Sequence, residues 1–174
     1  MNNIKTHNFD VVVVGSGNGA LTSAICSHDG GAKTLVIEKS NQYGGTSATS
    51  GGGVWIPNNR YAKAENVDDS DQDARDYINS VSPEGMIKDE LIETYISEGP
   101  KMIDYLHENS QVKYRNLSHY PDYFPDNPGG KEGNRSMEPE PINGTILGND
   151  LGKLREQHPQ TAFTMGPVSY THLR

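Results

Sequence analysis

The apolar positions of this chain gather near its start and change period along it. Val11 to Val14 is an unbroken β-branched run, the pattern of a parallel strand covered on both faces. It leads directly into Gly15-Ser16-Gly17-Asn18-Gly19-Ala20 and a stretch that reads as helix. Leu35-Val36-Ile37 follows as a second apolar strand and ends on Glu38. Residues 9–38 therefore predict a β-α-β unit. Asp71 to Val81 reads as a helix with Asp side chains capping its start. Ser82-Pro83-Glu84 is a further start signal, with Pro in the first turn. Ile87, Leu91, Tyr95, Met102, Ile103 and Leu106 then recur at helical spacing and predict a core-facing side. Gly99-Pro100 predicts two helices or one kinked helix. Val112 to Leu117 alternates enough for a short strand. Apolar residues are sparse from Gln111 to Asp150, so the second half is expected to bury no core of its own. Residues 118–150 are rich in Pro and Gly, which predicts a long loop, functional or disordered. Tyr120, Tyr123 and Phe124 argue against plain disorder there.

The order of the first elements gives the glycine hexamer its meaning. It fits G-x-G-x-x-G/A, with Ala20 in the last place. Gly15 allows the tight turn, Gly17 lets backbone approach a pyrophosphate, and Ala20 lets the helix sit close to the strand. The helix start directs free N–H groups and a partial positive charge at the phosphates. Glu38 stands about twenty residues on, where a carboxylate accepts both hydroxyls of a ribose and repels a 2′-phosphate. Gly15, Ser16, Gly17, Asn18, Gly19, Ala20 and Glu38 are thus the first candidate cofactor-binding residues. The hexamer by itself fits NAD and FAD enzymes alike.

A second small-residue stretch follows. Gly44-Gly45 permits close backbone approach. Thr46, Ser47 and Ser50 offer short hydroxyls and N–H groups suited to pyrophosphate and ribitol oxygens. Gly51 and Gly52, with Gly53, remove side chains where a flat ring could lie against backbone. The run Gly44-Gly45-Thr46-Ser47-Ala48-x-Ser50-Gly51, the pair Glu38-Lys39 and the segment Trp55-Ile56-Pro57 resemble the 3-ketosteroid dehydrogenases. These belong to the larger fumarate reductase and succinate dehydrogenase flavoprotein group. Tyr120-Pro121-Asp122-Tyr123 and Gly133-x-Arg135-Ser136 extend the resemblance. It implies an α/β fold: a Rossmann-like FAD-binding domain with a parallel sheet and crossover helices, followed by helices and the Pro/Gly-rich loop. It adds Lys39, Gly44, Gly45, Thr46, Ser47, Ser50, Gly51 and Gly52 to the cofactor-binding set. Covalent members of the larger group bond the flavin through a histidine in the corresponding stretch. This chain has none there, so the resemblance implies non-covalent FAD.

The resemblance also implies a reaction. Tyr123 would be catalytic, assisting proton removal beside a 3-keto group while flavin N5 takes hydride from the next carbon. An external acceptor would then collect the electrons. A phenol has a reference pKa of about 10, so such a base needs a neighbouring hydroxyl or an oxyanion-stabilising contact. Tyr120 and Phe124 are read as apolar wall, and Arg135 as one half of an ion pair holding the loop. A fumarate or enoate reductase, an NAD-dependent dehydrogenase and a non-catalytic dinucleotide-binding module are the alternative readings.

Composition narrows the partners. The net charge is −8, so no basic stripe exists to neutralise nucleic-acid phosphates. The six histidines lack metal-ligand spacing, and no metal is expected. Cys26, the one cysteine, cannot form an internal disulfide and is expected as a buried thiol in the first helix. The polar start and the absence of a long apolar segment point to a cytoplasmic protein without a transmembrane span.

Members of the resembled family are much longer than these 174 residues. The chain is accordingly read as an N-terminal part. Residues 1–60 begin the FAD-binding domain, 61–117 form a helical segment, 118–167 form the active-site loop region, and 168–174 are an appended end. Two or three parallel strands leave exposed edges, so this stretch alone is expected to bind FAD weakly or not at all.

Overall fold

The computed structural model describes residues 6–156; the expected appended end at 168–174 lies outside the described residues. The described chain forms two compact units, residues 6–51 with 143–156 and residues 52–142.

In the first unit, β1 (Val11–Val14) and β2 (Thr34–Ile37) pair in parallel, with Val11 opposite Thr34 and Val14 opposite Ile37. The crossover is α1 (Asn18–Asp29), which packs on both strands. The α/β character and the β-α-β unit are as the sequence predicts. The two-sided covering of β1 is not. Val12 and Val14 are 51% and 78% exposed while Val11 and Val13 are half-buried. Successive strand side chains face opposite ways, and α1 covers one face only. Cys26 is likewise exposed rather than buried. Two strands make too narrow a platform for a helix of this length, and α1 has no buried residue. Short 3-10 segments at Ser47–Thr49 and Gly144–Lys153 complete the unit.

The second unit holds an antiparallel sheet of β3 (Val54–Trp55), β4 (Tyr114–Asn116) and β5 (Ser136–Pro139), ordered β3-β5-β4. Its helices are α2 (Arg60–Ala64), α3 (Asp71–Val81) and α4 (Asp89–Asn109). The sparse stretch from Gln111 to Asp150 buries no separate core; its two buried apolar residues pack on residues that precede it. Met137 and Tyr114 are buried with Ile56 and Ile103. A three-stranded sheet needs few apolar residues when each one is central. The predicted span of α3 holds, but its cap is Ser70, whose hydroxyl accepts from the Asp73 N–H at 3.0 Å.

Helix α4 departs further from its pattern. It begins at Asp89, not at Ser82, because residues 83–86 close a turn in which the Met86 N–H donates to the Pro83 carbonyl. It then continues through Pro100 as one helix. Gly99 has Ile56 against it, so close that an added Cβ would stand 3.2 Å from Ile56 Cδ1. The buried side is Ile92, Ile96, Ile103 and Leu106, whereas Leu91, Tyr95 and Met102 are exposed. The covered stripe thus lies mostly one residue on from the expected one, a rotation of about 100° around the helix.

Candidate cofactor site

The first unit's site starts where β1 ends. The Gly15 N–H donates to the Ile37 carbonyl at 2.7 Å, joining the glycine turn to the end of β2. Ser16 is buried, and its hydroxyl ties three segments together. It donates to Glu38 Oε2 at 2.5 Å and accepts from the Gly44 N–H at 2.9 Å. The Ser40 N–H donates to the other carboxylate oxygen, Oε1, at 3.0 Å. The Ser16 hydroxyl first and the Ser40 N–H second hold the Glu38 carboxyl below its ordinary value. Glu38 is therefore an ionised acceptor at neutral pH.

The two glycine stretches meet face to face. A Cβ on Gly45 would stand 3.4 Å from the Gly17 Cα. Gly44 has φ +106°, and a Cβ there would lie 2.6 Å from the Ala48 Cβ, so only glycine fits. The Ser47 hydroxyl accepts from the Asn18 N–H at 2.9 Å, binding the second stretch to the start of α1. Between the segments is a cleft of about 490 Å³.

Gly15, Ser16, Gly17, Glu38, Lys39, Gly45 and Thr46 line this cleft, which brings much of the expected set together. Asn18, Gly19, Ala20, Gly44, Ser47, Ser50 and Gly51 belong to the same unit but do not line it. Gly52 belongs to the second unit, against Pro139. Gln42 and Arg155 also line the cleft and escaped the sequence reading. Gln42 sits between two recognised motifs. Arg155 carries no local signal, since only the pairing of Tyr43 with residues 153–155 brings it there.

Tyr123 lies in the second unit and is 84% exposed. Its neighbour Asp122 is buried and accepts from Trp55 Nε1 at 2.6 Å, Arg135 Nη1 at 2.9 Å and the Lys131 N–H at 3.0 Å. Arg135 also donates to Asp69 through Nε and Nη2, the latter at 2.7 Å. Its guanidinium lies 5.4 Å from the Trp55 ring and 5.8 Å from the Tyr77 ring. The ion pair expected of Arg135 is thus present, with two carboxylates instead of one. Tyr120 and Phe124 are 46% and 58% exposed.

Among the described residues, no group of three or more His, Cys, Asp or Glu side chains could hold a metal ion. No described helix is long and apolar enough to cross a membrane. The donor set of the cleft fits a dinucleotide such as FAD. Two bare glycine backbones face a gap, and an ionised carboxylate stands at its rim, as a diphosphate flanked by a plain ribose requires.

The profile of a family described as FAD binding domain matches residues 10–172. The 3-oxosteroid 1-dehydrogenase of Mycolicibacterium smegmatis is 38% identical over 166 residues, which is 95% of this chain and 29% of that protein. The 4-oxocyclohexanecarboxylate 2-dehydrogenase of Sinomonas cyclohexanicum is 38% identical over 157 residues, 90% of this chain and 27% of that one. A crystal structure of 3-ketosteroid delta1-dehydrogenase from Sterolibacterium denitrificans, in complex with 1,4-androstadiene-3,17-dione, superposes with a TM-score of 0.84. It is 40% identical, and the match covers 90% of this chain and 27% of that one. The chain spans 29% of the length of the first of these relatives.

Proposed function

Because the chain belongs to the FAD binding domain family, we propose that the whole protein is a cytoplasmic FAD-dependent dehydrogenase that introduces a double bond beside the keto group of a 3-ketosteroid. One observation carries this reading: a chain with an FAD-fitting cleft is 38% and 40% identical to enzymes named for 3-ketosteroids. Held without a covalent bond, FAD would supply a two-electron acceptor, and an external acceptor would then collect the electrons.

The chain's own residues do the rest. The backbone of Gly15 to Gly17 and of Gly45 receives the pyrophosphate. Glu38 accepts the ribose hydroxyls. Thr46, Ser47 and Ser50 serve the remaining oxygens, and Gly51 and Gly52 leave room for the ring. Tyr123, as its phenolate, would take the proton from the carbon next to the keto carbon. The neighbouring carbon gives up hydride, so two C–H bonds break and one C=C bond forms. Asp122, pinned from three sides, holds the backbone from which Tyr123 projects.

A second substrate is favoured by the likeness to the 4-oxocyclohexanecarboxylate enzyme, since a small ring ketone undergoes the same bond changes. The test is reduction of an artificial electron acceptor by the FAD-loaded whole gene product, with a 3-ketosteroid or 4-oxocyclohexanecarboxylate as donor. Turnover with the steroid is expected. Tyr123→Phe should lower kcat by about 10²-fold or more with FAD still bound. FAD-loaded protein that reduces the acceptor with neither ketone overturns the reading.

A further inference from the structure

We infer that Arg155 is a further cofactor-binding residue whose guanidinium takes the pyrophosphate of the dinucleotide. This deepens the FAD reading and rests on it. Arg155 lines the same cleft as the glycine turn and Glu38, although it stands far along the chain from both. Its backbone is fixed from two sides. The Tyr43 N–H donates to the Lys153 carbonyl at 2.9 Å, and the Arg155 N–H donates to the Tyr43 carbonyl at 2.8 Å. Between them, Leu154 lies over Gly44.

The charges around the cleft leave Arg155 available. Among the described residues the cleft wall holds one other cation, Lys39, and the neighbouring Lys153 is committed to Asp150 at 2.7 Å. The one carboxylate in the cleft wall, Glu38, is engaged by the Ser16 hydroxyl and the Ser40 N–H. Arg155 itself forms no ion pair among the described residues, and its side chain is exposed at the cleft. The glycine turn offers only backbone N–H groups and the partial charge of a helix start. A pyrophosphate carries full negative charges, and a planar guanidinium meets its oxygens bidentately. Glu38 keeps any additional phosphate off the ribose, so the pyrophosphate is the anionic part left for Arg155.

The test titrates the apo form of the whole gene product with FAD and with ADP, following flavin fluorescence and heat release at several KCl concentrations. Arg155→Ala should bind both ligands about tenfold more weakly or worse, with an unchanged melting temperature. That deficit should shrink as KCl rises, and Arg155→Lys should recover part of it. Wild-type affinity in Arg155→Ala, or a deficit insensitive to KCl, overturns this assignment alone. Wild-type protein that binds neither FAD nor ADP overturns the FAD reading and this assignment together.

Discussion

Truncation of Arg135 to alanine probes the construction of the second unit most directly. Its side chain is 1% exposed, and the Asp69 and Asp122 side chains that it joins are 4% and 2% exposed. Removing the guanidinium leaves two buried carboxylates beside each other. Asp122 would keep Trp55 Nε1 and the Lys131 N–H, and Asp69 would keep the N–H groups of Asn58 and Ser70. Those are neutral donors, and none supplies a compensating charge. Breaking a buried ion pair by removing one partner costs about 3–5 kcal/mol. Arg135→Ala should therefore melt several degrees below wild type. Thermal unfolding followed by circular dichroism at neutral pH measures this. The triple variant Asp69→Asn, Arg135→Met, Asp122→Asn removes all three charges and should regain much of the loss. A Tm for Arg135→Ala within about 2 °C of wild type would refute the assignment of Arg135 as the charge that holds this unit together.

Four other outcomes test the remaining geometry. Gly44→Ala places a Cβ 2.6 Å from the Ala48 Cβ at φ +106°, should cost about 1–3 kcal/mol, and should purify with much less bound flavin by absorbance. Glu38 has a depressed carboxyl pKa, so its ionised contribution to FAD binding is complete above the ordinary value of 4.5 and is lost as pH falls through the lower folded value. Ser16→Ala removes the main cause of that depression, so an acid titration of flavin release should show its midpoint moved up toward 4.5. Tyr61→Phe deletes a hydroxyl that pairs with His107 Nδ1 at 2.8 Å and accepts from the Tyr114 N–H at 3.0 Å, and urea unfolding should show a loss of about 1–3 kcal/mol. Burial first, then the charges of Arg60 and Lys113, push the His107 pKa down. Stability from that residue is therefore complete above 6.5 and declines as pH drops below 6.5, and the same urea series repeated on either side of that pH reads it.

The sequence by itself determined what is local. The branched run of β1, the spacing of Gly15, Gly17 and Ala20, and the carboxylate at the end of β2 act within thirty residues of one another, so the cofactor turn was legible at once. The span of α3 was legible for the same reason, because its polar start and its period lie within its own residues. Tertiary structure decided whatever depends on which surface is available. The period of α4 announced an apolar face, yet Ile92, Ile96 and Ile103 were chosen for burial by the positions of α3 and Ile56. Cys26 and Val14 stay exposed because among the described residues only two parallel strands form, and neither position carries a mark of that. Met137 was a lone apolar residue in a polar run until β3 and β4 closed on either side of it. Arg155 reaches the cleft through backbone pairing with Tyr43, and pairing across such a separation uses N–H and C=O groups that every sequence has, so it leaves no local trace.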